Sequence, residues 1–442
     1  MAKLNKILRV FTREGAPAHK PAPEQELRRA LMNCLLWEDQ FYEDGVSIAD
    51  RMKALVPLVE PAKVAALAIA AREDMKLRHA PLLIVREMAR HEKHRVLVAD
   101  TLARIVQRPD ELTEFLAIYW ADALGPRQQR KKQPVSAQVK KGLARAVAKF
   151  DAYQLAKYDR DGPVRIRDVL FLTHAKPRDA AQAEVWKQLV DGTLVAPDTW
   201  EVSLSGGASK AETFERLIGE RKLGALALLR NLRLMQKAGV AKTTIAGAIA
   251  AMRTDRVLPY RFITAARYAP DFEPELEAAM LQSIKGTARL PGRTRLLIDV
   301  SGSMFAPLSA QSEMTRAEAA CGLAILAREV CEEVEIFTFS NTVVKVAPRR
   351  GFALRDAIIG SQPHGGTYLG KAVSEIDAKN TRLIVFTDEQ SHDAVPAPKG
   401  TGTVVNVASY QHGVRHDAWR RVDGFSEAVL AWIAAQEEAQ AL

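Results

Sequence analysis

The spacing of apolar residues changes near residue 290, and this change limits the folds that are open to the chain. Up to about residue 285 apolar side chains recur every three to four positions, as in "PAKVAALAIAAREDM" (61–75) and "HAPLLIVREMARH" (79–91). Such spacing predicts amphipathic helices, which Pro, Gly and Asp residues separate. Beyond residue 290 short continuous apolar runs alternate with helical patterns. We therefore predict a helical region over 1–288 and an α/β region over 289–442.

Many short helices joined by short turns indicate that the first region is built from stacked helical pairs. No alternating run of strand length stands out among them, although no clean repeat period is visible either. Each short helix has one apolar face that a neighbouring helix must cover. The interpretation is a HEAT-like helical-repeat solenoid.

Four apolar runs in the second region predict strands. They are "RLLIDV" (295–300), "VEIFTF" (334–339), "RLIVFT" (382–387) and "TVVNVA" (403–408). Helical patterns such as "EMTRAEAACGLAILAREVCEEV" lie between the runs, which predicts a mostly parallel sheet covered by helices on both faces. The segment "SNTVVKVAPRRGF" predicts a hairpin at the sheet edge, and "EAVLAWIAAQEEAQ" predicts a closing helix. The expected architecture is a Rossmann-like α/β domain.

The bulk features favour a cytoplasmic protein. No run of 18 apolar residues is present, so no membrane span is expected, and the N-terminal stretch turns polar too early for a signal peptide. Cys34, Cys321 and Cys331 have neither metal-binding nor redox spacing. We expect free, mostly buried thiols in a reducing compartment.

The basic charge of the chain belongs to its first region. Residues 291–442 carry 15 Lys and Arg against 18 Asp and Glu, whereas the first 290 residues carry 48 against 35. A basic excess confined to one region favours a polyanionic partner for that region, most simply nucleic acid. The alternative is that the excess positive charge only keeps the protein in solution.

Carboxylates and hydroxyls gather where the predicted parallel strands end. Asp299, Ser301 and Ser303 follow the first strand in "DVSGSM", and Asp388 follows the third strand in "VFTDEQ". Thr367 follows a glycine pair in "QPHGGTYLG". Since ligands of open α/β sheets bind beyond the carboxyl ends of the strands, these five oxygens predict a divalent-metal site, with Mg²⁺ ahead of Mn²⁺ or Ca²⁺. The competing interpretation is that they only cap strands and turns.

The order of these residues resembles the metal-ion-dependent adhesion site of von Willebrand factor A domains. That pattern is D-x-S-x-S, then a Thr, then an Asp, and all five positions are filled here in order. The resemblance implies that the metal's open position takes a carboxylate from a partner.

A hydrolase is the alternative interpretation of the same residues. Ser301 could act as a nucleophile, but it does not sit in a G-x-S-x-G elbow. His364 and His392 are near in sequence, yet nothing in their spacing fixes a triad. We therefore predict that the protein is not an enzyme.

Two helical segments place cations opposite an apolar face. Lys141, Arg145 and Lys149 recur every fourth residue in "VKKGLARAVAKF", just after the basic run "PRQQRKKQP". Arg230, Arg233 and Lys237 share a face in "LALLRNLRLMQKAG". Cations spaced along a helix suit phosphate backbones, although each set could equally be a solvated surface.

Longer segments of the first region resemble the TROVE module. They are "TREGAPA", "FYEDGVSIADRM", "YDRDGPVRIRDVLFLTHAKP" (158–177) and "DTWEVSLSGGASKAETFERLIGERKLGALALLRNLRLMQKAGV" (198–240). A TROVE module followed by an A domain is the architecture of the Ro ribonucleoprotein autoantigen family, which has bacterial members. The resemblance covers nearly the whole chain.

The resemblance implies a ring of helical repeats closed by the A domain. Members of the family bind small structured Y RNAs on the outer surface and single-stranded 3′ ends of misfolded RNAs in the central hole. Bacterial members work with exoribonucleases such as polynucleotide phosphorylase. We accordingly expect a monomeric ribonucleoprotein component that acts in RNA quality control or processing and does not associate with membranes.

The resemblance also carries RNA-contacting positions onto this chain. A basic residue before a Tyr falls at Lys157, and a His in the "L-x-H-x-K-P" stretch falls at His174. A further Arg position of the family falls at Asp161, which departs from the pattern, with Arg160 beside it. Lys176 and Arg178 would extend the patch. The alternative function is a metal-dependent protein-interaction scaffold that acts through the A domain.

Overall fold

Every regular element that the structure describes between residues 23 and 284 is a helix. The structure is a computed structural model, and it describes residues 10–11, 17–18, 22–32, 45–73, 77–121, 134–255, 257, 259–285, 289–308, 314–408, 413–414, 418–423 and the single positions 430, 433 and 437. The backbone divides into two compact units. The helical unit comprises Pro23–Trp37 and Gly45–Asp198, and the mixed unit comprises Met1–Ala22, Glu38–Asp44 and Thr199–Leu442.

The described part of the helical unit contains ten α-helices. They are α1 (Pro23–Met32), α2 (Gly45–Leu55), α3 (Pro61–Glu73), α4 (His79–Arg90), α5 (Arg95–Ile105), α6 (Asp110–Trp120), α7 (Ala137–Val147), α8 (Ala152–Tyr158), α9 (Ile166–Thr173) and α10 (Ala180–Asp191). Their apolar faces form one core, in which α3 packs on α4 and α5, α5 on α7, and α7 on α9. The helices predicted from the three-to-four spacing in 61–75 and 79–91 are therefore confirmed.

In the described part of the mixed unit, six more helices precede the sheet. They are α11 (Trp200–Ser205), α12 (Lys210–Gly219), α13 (Ala225–Ala238), α14 (Lys242–Ala251), α15 (Pro259–Tyr268) and α16 (Glu273–Ile284). Their ends follow local sequence signals: the Ser209 hydroxyl caps α12, and Gly239 ends α13 with a φ of 83°. The latter is a left-handed conformation that glycine adopts without strain. A short antiparallel pair, β1 (Val10–Phe11) and β2 (Pro17–Ala18), also belongs to this unit.

A six-stranded sheet follows. Its strands are β3 (Leu290–Asp299), β4 (Cys331–Phe339), β5 (Val343–Val346), β6 (Arg382–Thr387), β7 (Thr401–Asn406) and β8 (Trp419–Asp423), in the order β5-β4-β3-β6-β7-β8. Among the described strands of this sheet, only β5 is antiparallel to its neighbour. Helices α17 (Arg316–Val330), α18 (Gly351–Ile359) and α19 (Leu369–Ile376) lie between strands in the chain. The four predicted strands and the edge hairpin are confirmed, and β8 is an additional strand.

The strand order creates a switch point at the carboxyl end of β3. The chain leaves β3 to form β4 on one side and returns later to form β6 on the other side. Connections that leave in opposite directions open a crevice between the loops, which is where open α/β sheets bind ligands. Asp299 ends β3, and Asp388 directly follows β6, so both carboxylates lie at this crevice.

Helices before residue 288 and the sheet region after it share one apolar core. The core includes Phe214, residues of α13 to α17, residues of the sheet, and Ile433. Helix α15 packs on α17, and the Glu277 carboxylate accepts a hydrogen bond of 2.7 Å from the Phe352 amide. The boundary at 288/289 stays a prediction, and the described segments on its two sides pack as one body.

The described residues bear on three other sequence predictions. None of the described helices has both the length and the apolar character that a membrane span needs. Cys321 and Cys331 are buried free thiols, and burial raises the pKa of Cys321 to about 12. Cys34, the basic run at 126–133 and most of the predicted closing helix lie outside the described residues.

Candidate metal centre and candidate nucleic-acid interface

The loop after β3 supplies three of the predicted metal ligands. Asp299 is the last residue of β3, and Ser301 precedes a 3₁₀ turn over Gly302–Phe305 that contains Ser303. The Oγ atoms of Ser301 and Ser303 lie 3.4 Å apart. The turn therefore brings two hydroxyls together next to the strand-end carboxylate.

The Asp299 carboxylate is completely buried and hydrogen-bonded through both oxygens. Its Oδ1 accepts from the Ser301 amide at 2.9 Å, and its Oδ2 accepts from Thr387 Oγ1 at 2.6 Å. Burial, followed by the nearby negative charge of Asp388, raises the pKa of Asp299 to about 7. A buried carboxylate whose ionised form is disfavoured by burial and by a second carboxylate is a place where a cation is stabilising.

Asp388 is also completely buried, and a guanidinium contacts it. Its Oδ1 accepts from the Gln390 amide at 3.3 Å, and Arg316 Nη1 lies 3.4 Å from its Oδ2. Arg316 is the first residue of α17 and is itself 1% exposed. No pattern in the sequence connects Arg316 with this edge of the sheet. We call the edge the metal rim and define it by Asp299, Ser301, Ser303, Thr367 and Asp388.

The loop that carries Thr367 is hydrogen-bonded to both carboxylate loops. The Gly302 amide donates to Gly365 O at 3.1 Å, and the His392 amide donates to Thr367 O at 2.8 Å. A Cβ atom on Gly365 would lie 2.3 Å from Asn341 Nδ2, so a larger residue here would displace the Asn341 amide, whose Oδ1 accepts from the Gly366 amide at 2.8 Å. The structure thus brings the loops of all five predicted ligands to one edge of the sheet.

The donor set fits a small hard cation. It contains two carboxylates and three hydroxyls, and no cluster of three or more His, Cys, Asp or Glu side chains occurs among the residues with described positions. Oxygen donors of limited charge suit Mg²⁺, which usually retains several waters. The fit rests on donor chemistry and on the burial of two adjacent carboxylates.

The neighbouring histidines are engaged in loop contacts. His364 Nδ1 lies 3.0 Å from Val300 O, and its ring packs on Phe305 with centroids 3.9 Å apart. His392 Nδ1 lies 3.1 Å from the Thr367 amide nitrogen and stacks on Tyr368. These contacts give the imidazoles a role in loop packing. They do not support the hydrolase interpretation.

Lys141 and Arg145 lie on the exposed face of α7, opposite buried apolar residues, as predicted, and Lys149 follows the end of the helix. Lys141 is exposed, whereas Arg145 pairs with Asp100. Lys149 Nζ donates to Ala103 O and Val106 O at the carboxyl end of α5, and burial lowers the pKa of its ammonium. Lys149 therefore caps a neighbouring helix, a use of its charge that helical spacing alone does not reveal.

Four further predicted RNA contacts lie around α8 and α9. Lys157 belongs to α8, Arg160 follows it, and His174 and Lys176 follow α9. His174 has a φ of 51°, and its amide donates to Leu170 O as the cap of α9. A left-handed histidine is uncommon and holds its exposed imidazole at the helix end. Neither Lys157, Arg160, His174 nor Lys176 is ion-paired with any residue in the described ranges.

One arginine forms ion pairs with the acidic residues between α8 and α9. Arg165 Nη2 lies 2.8 Å from Asp159, and its Nη1 lies 3.1 Å from Asp161. Asp168 accepts a hydrogen bond from the Arg165 amide at the start of α9. Asp161, which departs from the family pattern, is thus paired with Arg165, and residues 157–178 carry six Lys and Arg against three Asp.

The cations of α13 are exposed as the sequence predicts. Arg230, Arg233 and Lys237 face solvent, while Leu228, Leu232 and Met235 are buried. These cations lie in the mixed unit, whereas those of α7 to α9 lie in the helical unit. Each cationic set is therefore a candidate surface of its own unit.

A family model described as the TROVE domain matches residues 29–191 and 192–319, which is more than half of the chain. The chain belongs to the TROVE-domain family. A solved structure of the Ro (RSR) protein of Deinococcus radiodurans matches this TROVE-domain protein with a TM-score of 0.60 at 19% identity, covering 94% of this chain and 99% of that one. The helix-rich fold with a carboxyl-terminal, mostly parallel sheet is therefore shared. The chain matches none of the curated proteins with which it was compared.

Two exposed aromatic residues on α8 and α9 of this TROVE-domain protein were not identified from the sequence. Tyr153 on α8 is 53% exposed, and Phe171 on α9 is 61% exposed. On α9 the buried positions are Ile166, Val169, Leu170 and Thr173. A helical projection of α9 places Phe171 off that buried face and within about 60° of Arg167 and His174, and this signal was available in the sequence.

Proposed function

We propose that this TROVE-domain protein is an RNA-binding component of a ribonucleoprotein. The observation that carries the proposal is the α8–α9 surface, which we define as Tyr153, Lys157, Arg160, Arg167, Phe171, His174 and Lys176. Its cations have no ion-pair partners in the described ranges, and the neighbouring Asp159 and Asp161 both pair with Arg165, which is outside the set. Unpaired cations interspersed with exposed aromatic rings suit a backbone of phosphates with unstacked bases.

The finer proposal concerns which RNA is bound. Small structured, Y-like RNAs and the single-stranded ends of misfolded RNAs are the proposed ligands, in RNA quality control or processing in the cytoplasm. A HEAT-like arrangement of the helices, a monomeric state and an exoribonuclease partner such as polynucleotide phosphorylase belong to the same proposal. The resemblance of 158–177 and 198–240 to the TROVE module supports it.

Crosslinking and immunoprecipitation from the native cell, followed by RNA sequencing, tests this function. We expect a few abundant, structured small RNAs to be enriched, together with RNAs that carry single-stranded ends. Charge reversal at Lys157 and Arg160 is expected to remove that enrichment. If no RNA rises above the background of an untagged strain, the RNA-binding proposal fails.

Phe171→Ala is expected to weaken binding of a labelled single-stranded RNA by about tenfold. The reason is that stacking of one base on an aromatic ring contributes roughly 1–3 kcal/mol. Fluorescence anisotropy with a 20-nucleotide mixed-sequence RNA, a length chosen as roughly the span of one or two single-strand sites, measures the effect. Phe171→Trp retains a ring and should retain the affinity.

Leu58→Ala is the matched control for Phe171→Ala. Leu58 is also an exposed apolar residue of the helical unit, at 66% exposure. Its loss should leave the RNA affinity unchanged. Equal affinities of the Phe171→Ala variant and the natural protein would remove Phe171 from the interface.

We propose in addition that Asp299, Ser301, Ser303, Thr367 and Asp388 hold a divalent cation, Mg²⁺ ahead of Mn²⁺ or Ca²⁺, as in a von Willebrand factor A domain. When bound, the ion would offer an open coordination position to an anionic oxygen of a partner. The residues of the chain would hold the ion through two carboxylates and three hydroxyls. The burial of both carboxylates and the raised pKa of Asp299 support this proposal.

The metal rim also favours a second candidate function, a metal-dependent protein-interaction scaffold. In that case a partner protein should be captured from lysate in the presence of Mg²⁺, released by a chelator, and retained after nuclease treatment. Capture that disappears with nuclease would assign the partner to bound RNA and argue against the scaffold.

A further inference from the structure

A buried arginine reaches the metal rim from a helix that carries none of the five predicted ligands. Arg316 Nη1 lies 3.4 Å from Asp388 Oδ2, and the two side chains are 1% and 0% exposed. The two residues are 72 positions apart in the chain. Their contact is therefore set by tertiary structure.

The start of α17 fixes the position from which Arg316 extends. Thr315 Oγ1 accepts from the Glu318 amide at 3.1 Å, and the Glu318 carboxylate accepts from the Thr315 amide at 2.8 Å. This reciprocal cap defines where the helix begins. Arg316 is the first residue after the cap, so its backbone is held in place while its side chain extends to Asp388.

A guanidinium remains protonated at any pH at which the protein is folded. Arg316 therefore supplies a permanent positive charge to a rim that holds two buried carboxylates. A divalent ion bound at the same rim would interact with the same Asp388 charge. Two cations that approach one carboxylate repel each other, and the repulsion is strong where water is excluded.

We infer that Arg316 is a built-in counter-cation of the rim, which stabilises Asp388 when no metal is bound and lowers the affinity of the rim for a divalent ion. Arg316 is a positioning residue, because it acts through Asp388. The inference rests on the proposed metal site. It gives one side chain two opposite effects: the arginine stabilises the metal-free fold and opposes metal binding.

The test compares the full-length natural protein with Arg316→Met after both have been freed of metal with a chelator. Mn²⁺ binding is followed by electron paramagnetic resonance, and Mg²⁺ binding by calorimetry. We expect Arg316→Met to bind Mn²⁺ at least about tenfold more tightly, since a nearby like charge commonly changes the binding of a charge by a factor of this order. The melting temperature of the metal-free variant should fall, and Mn²⁺ should restore much of it.

Arg382→Met is the matched control. Arg382 is a buried arginine at the opposite end of β6, where it pairs with Glu437. Its replacement should also lower the melting temperature, but the Mn²⁺ affinity should stay within about twofold of that of the natural protein. The control separates loss of a buried ion pair from loss of the charge beside Asp388.

If Arg316→Met does not fold without metal, Arg316→Lys and Arg316→Gln are compared instead. Arg316→Lys keeps the positive charge. Its Mn²⁺ affinity should remain close to that of the natural protein, whereas Arg316→Gln, which is neutral and polar, should bind more tightly than Arg316→Lys. An Arg316→Met/Asp388→Asn double variant should regain stability without metal and lose the gain in affinity.

The outcomes separate the inference from the proposed metal site. Equal Mn²⁺ affinity in the natural protein and in the neutral Arg316 variants overturns the inference and leaves the metal site standing. If the neutral variants bind Mn²⁺ and the natural protein does not, the inference is supported. Metal binding is then no longer part of the proposed function of the natural chain. Binding by none of the proteins overturns the inference, because the arginine is then not what limits binding.

Discussion

Replacing Lys157, Arg160 and Lys176 together by glutamate is expected to weaken binding of a single-stranded RNA by on the order of 100-fold at moderate salt. Each side chain would change from attracting a phosphate to repelling it. None of the three is ion-paired with a residue at a described position, so their charges are available to a ligand. Fluorescence anisotropy at several salt concentrations measures both the affinity and its salt dependence.

The salt dependence distinguishes lost phosphate contacts from a damaged fold. Three lost contacts should reduce the slope of log affinity against log salt by about 2, because each contact to a single strand contributes roughly 0.7. The matched control replaces Arg349, Lys371 and Lys379 by glutamate. These are exposed cations of the mixed unit, so the control changes the net charge by the same amount. If both triple variants lose the same affinity, the RNA responds to net charge and the α8–α9 surface is not a specific site.

Asp299→Asn is expected to make the metal-free protein more stable at pH 8 and to abolish its stabilisation by Mg²⁺. In the folded natural protein the pKa of Asp299 is about 7, compared with an ordinary value of 3.8. The protonated carboxyl is therefore favoured by folding. Its stabilising contribution is fully present below pH 3.8 and is lost progressively as the pH rises to 7. Asparagine does not titrate and avoids this loss.

The pH dependence of the stability difference shows whether folding favours the protonated form of Asp299. Between the variant and the natural protein, the difference in unfolding free energy should be small near pH 4, grow up to pH 7 and then level off, reaching on the order of 2 kcal/mol. Chemical denaturation in chelator at several pH values measures it. With 10 mM Mg²⁺, a concentration chosen as roughly 100 times a site dissociation constant of about 0.1 mM, the natural protein should gain stability at pH 8 and the variant should not. A difference that does not vary between pH 4 and 8 would mean that Asp299 is ionised throughout.

The sequence predicted the elements well because they depend on local spacing. The apolar runs at 295–300 and 382–387 became β3 and β6, and parallel strands place their ends at one edge. The sequence alone therefore assigned Asp299 and Asp388 to the same rim. The loop of Thr367 followed from the same reasoning, because it lies between two strands of that sheet.

Contacts between residues distant in the sequence could not be predicted in this way. Arg316 reaches Asp388 only because α17 packs where it does, and no local pattern encodes that distance. Lys149 shares a helical face with Lys141, yet its ammonium caps α5, 43 positions away from Val106. Helical spacing identified Lys149 as part of a cationic face, whereas its partners, like that of Arg316, depended on tertiary packing.

The core that joins α13 to α17 with the sheet has a consequence for how the protein is made. Phe214 is synthesised more than two hundred residues before Leu430 and Ile433, and all three belong to this core. The helices around Phe214 leave the ribosome with an apolar surface that the later strands have yet to cover. They must remain exposed, or be held by a chaperone, for most of the remaining synthesis. A ribosome-stalled chain that ends near residue 290 should therefore bind chaperones strongly, and the full-length chain should release them.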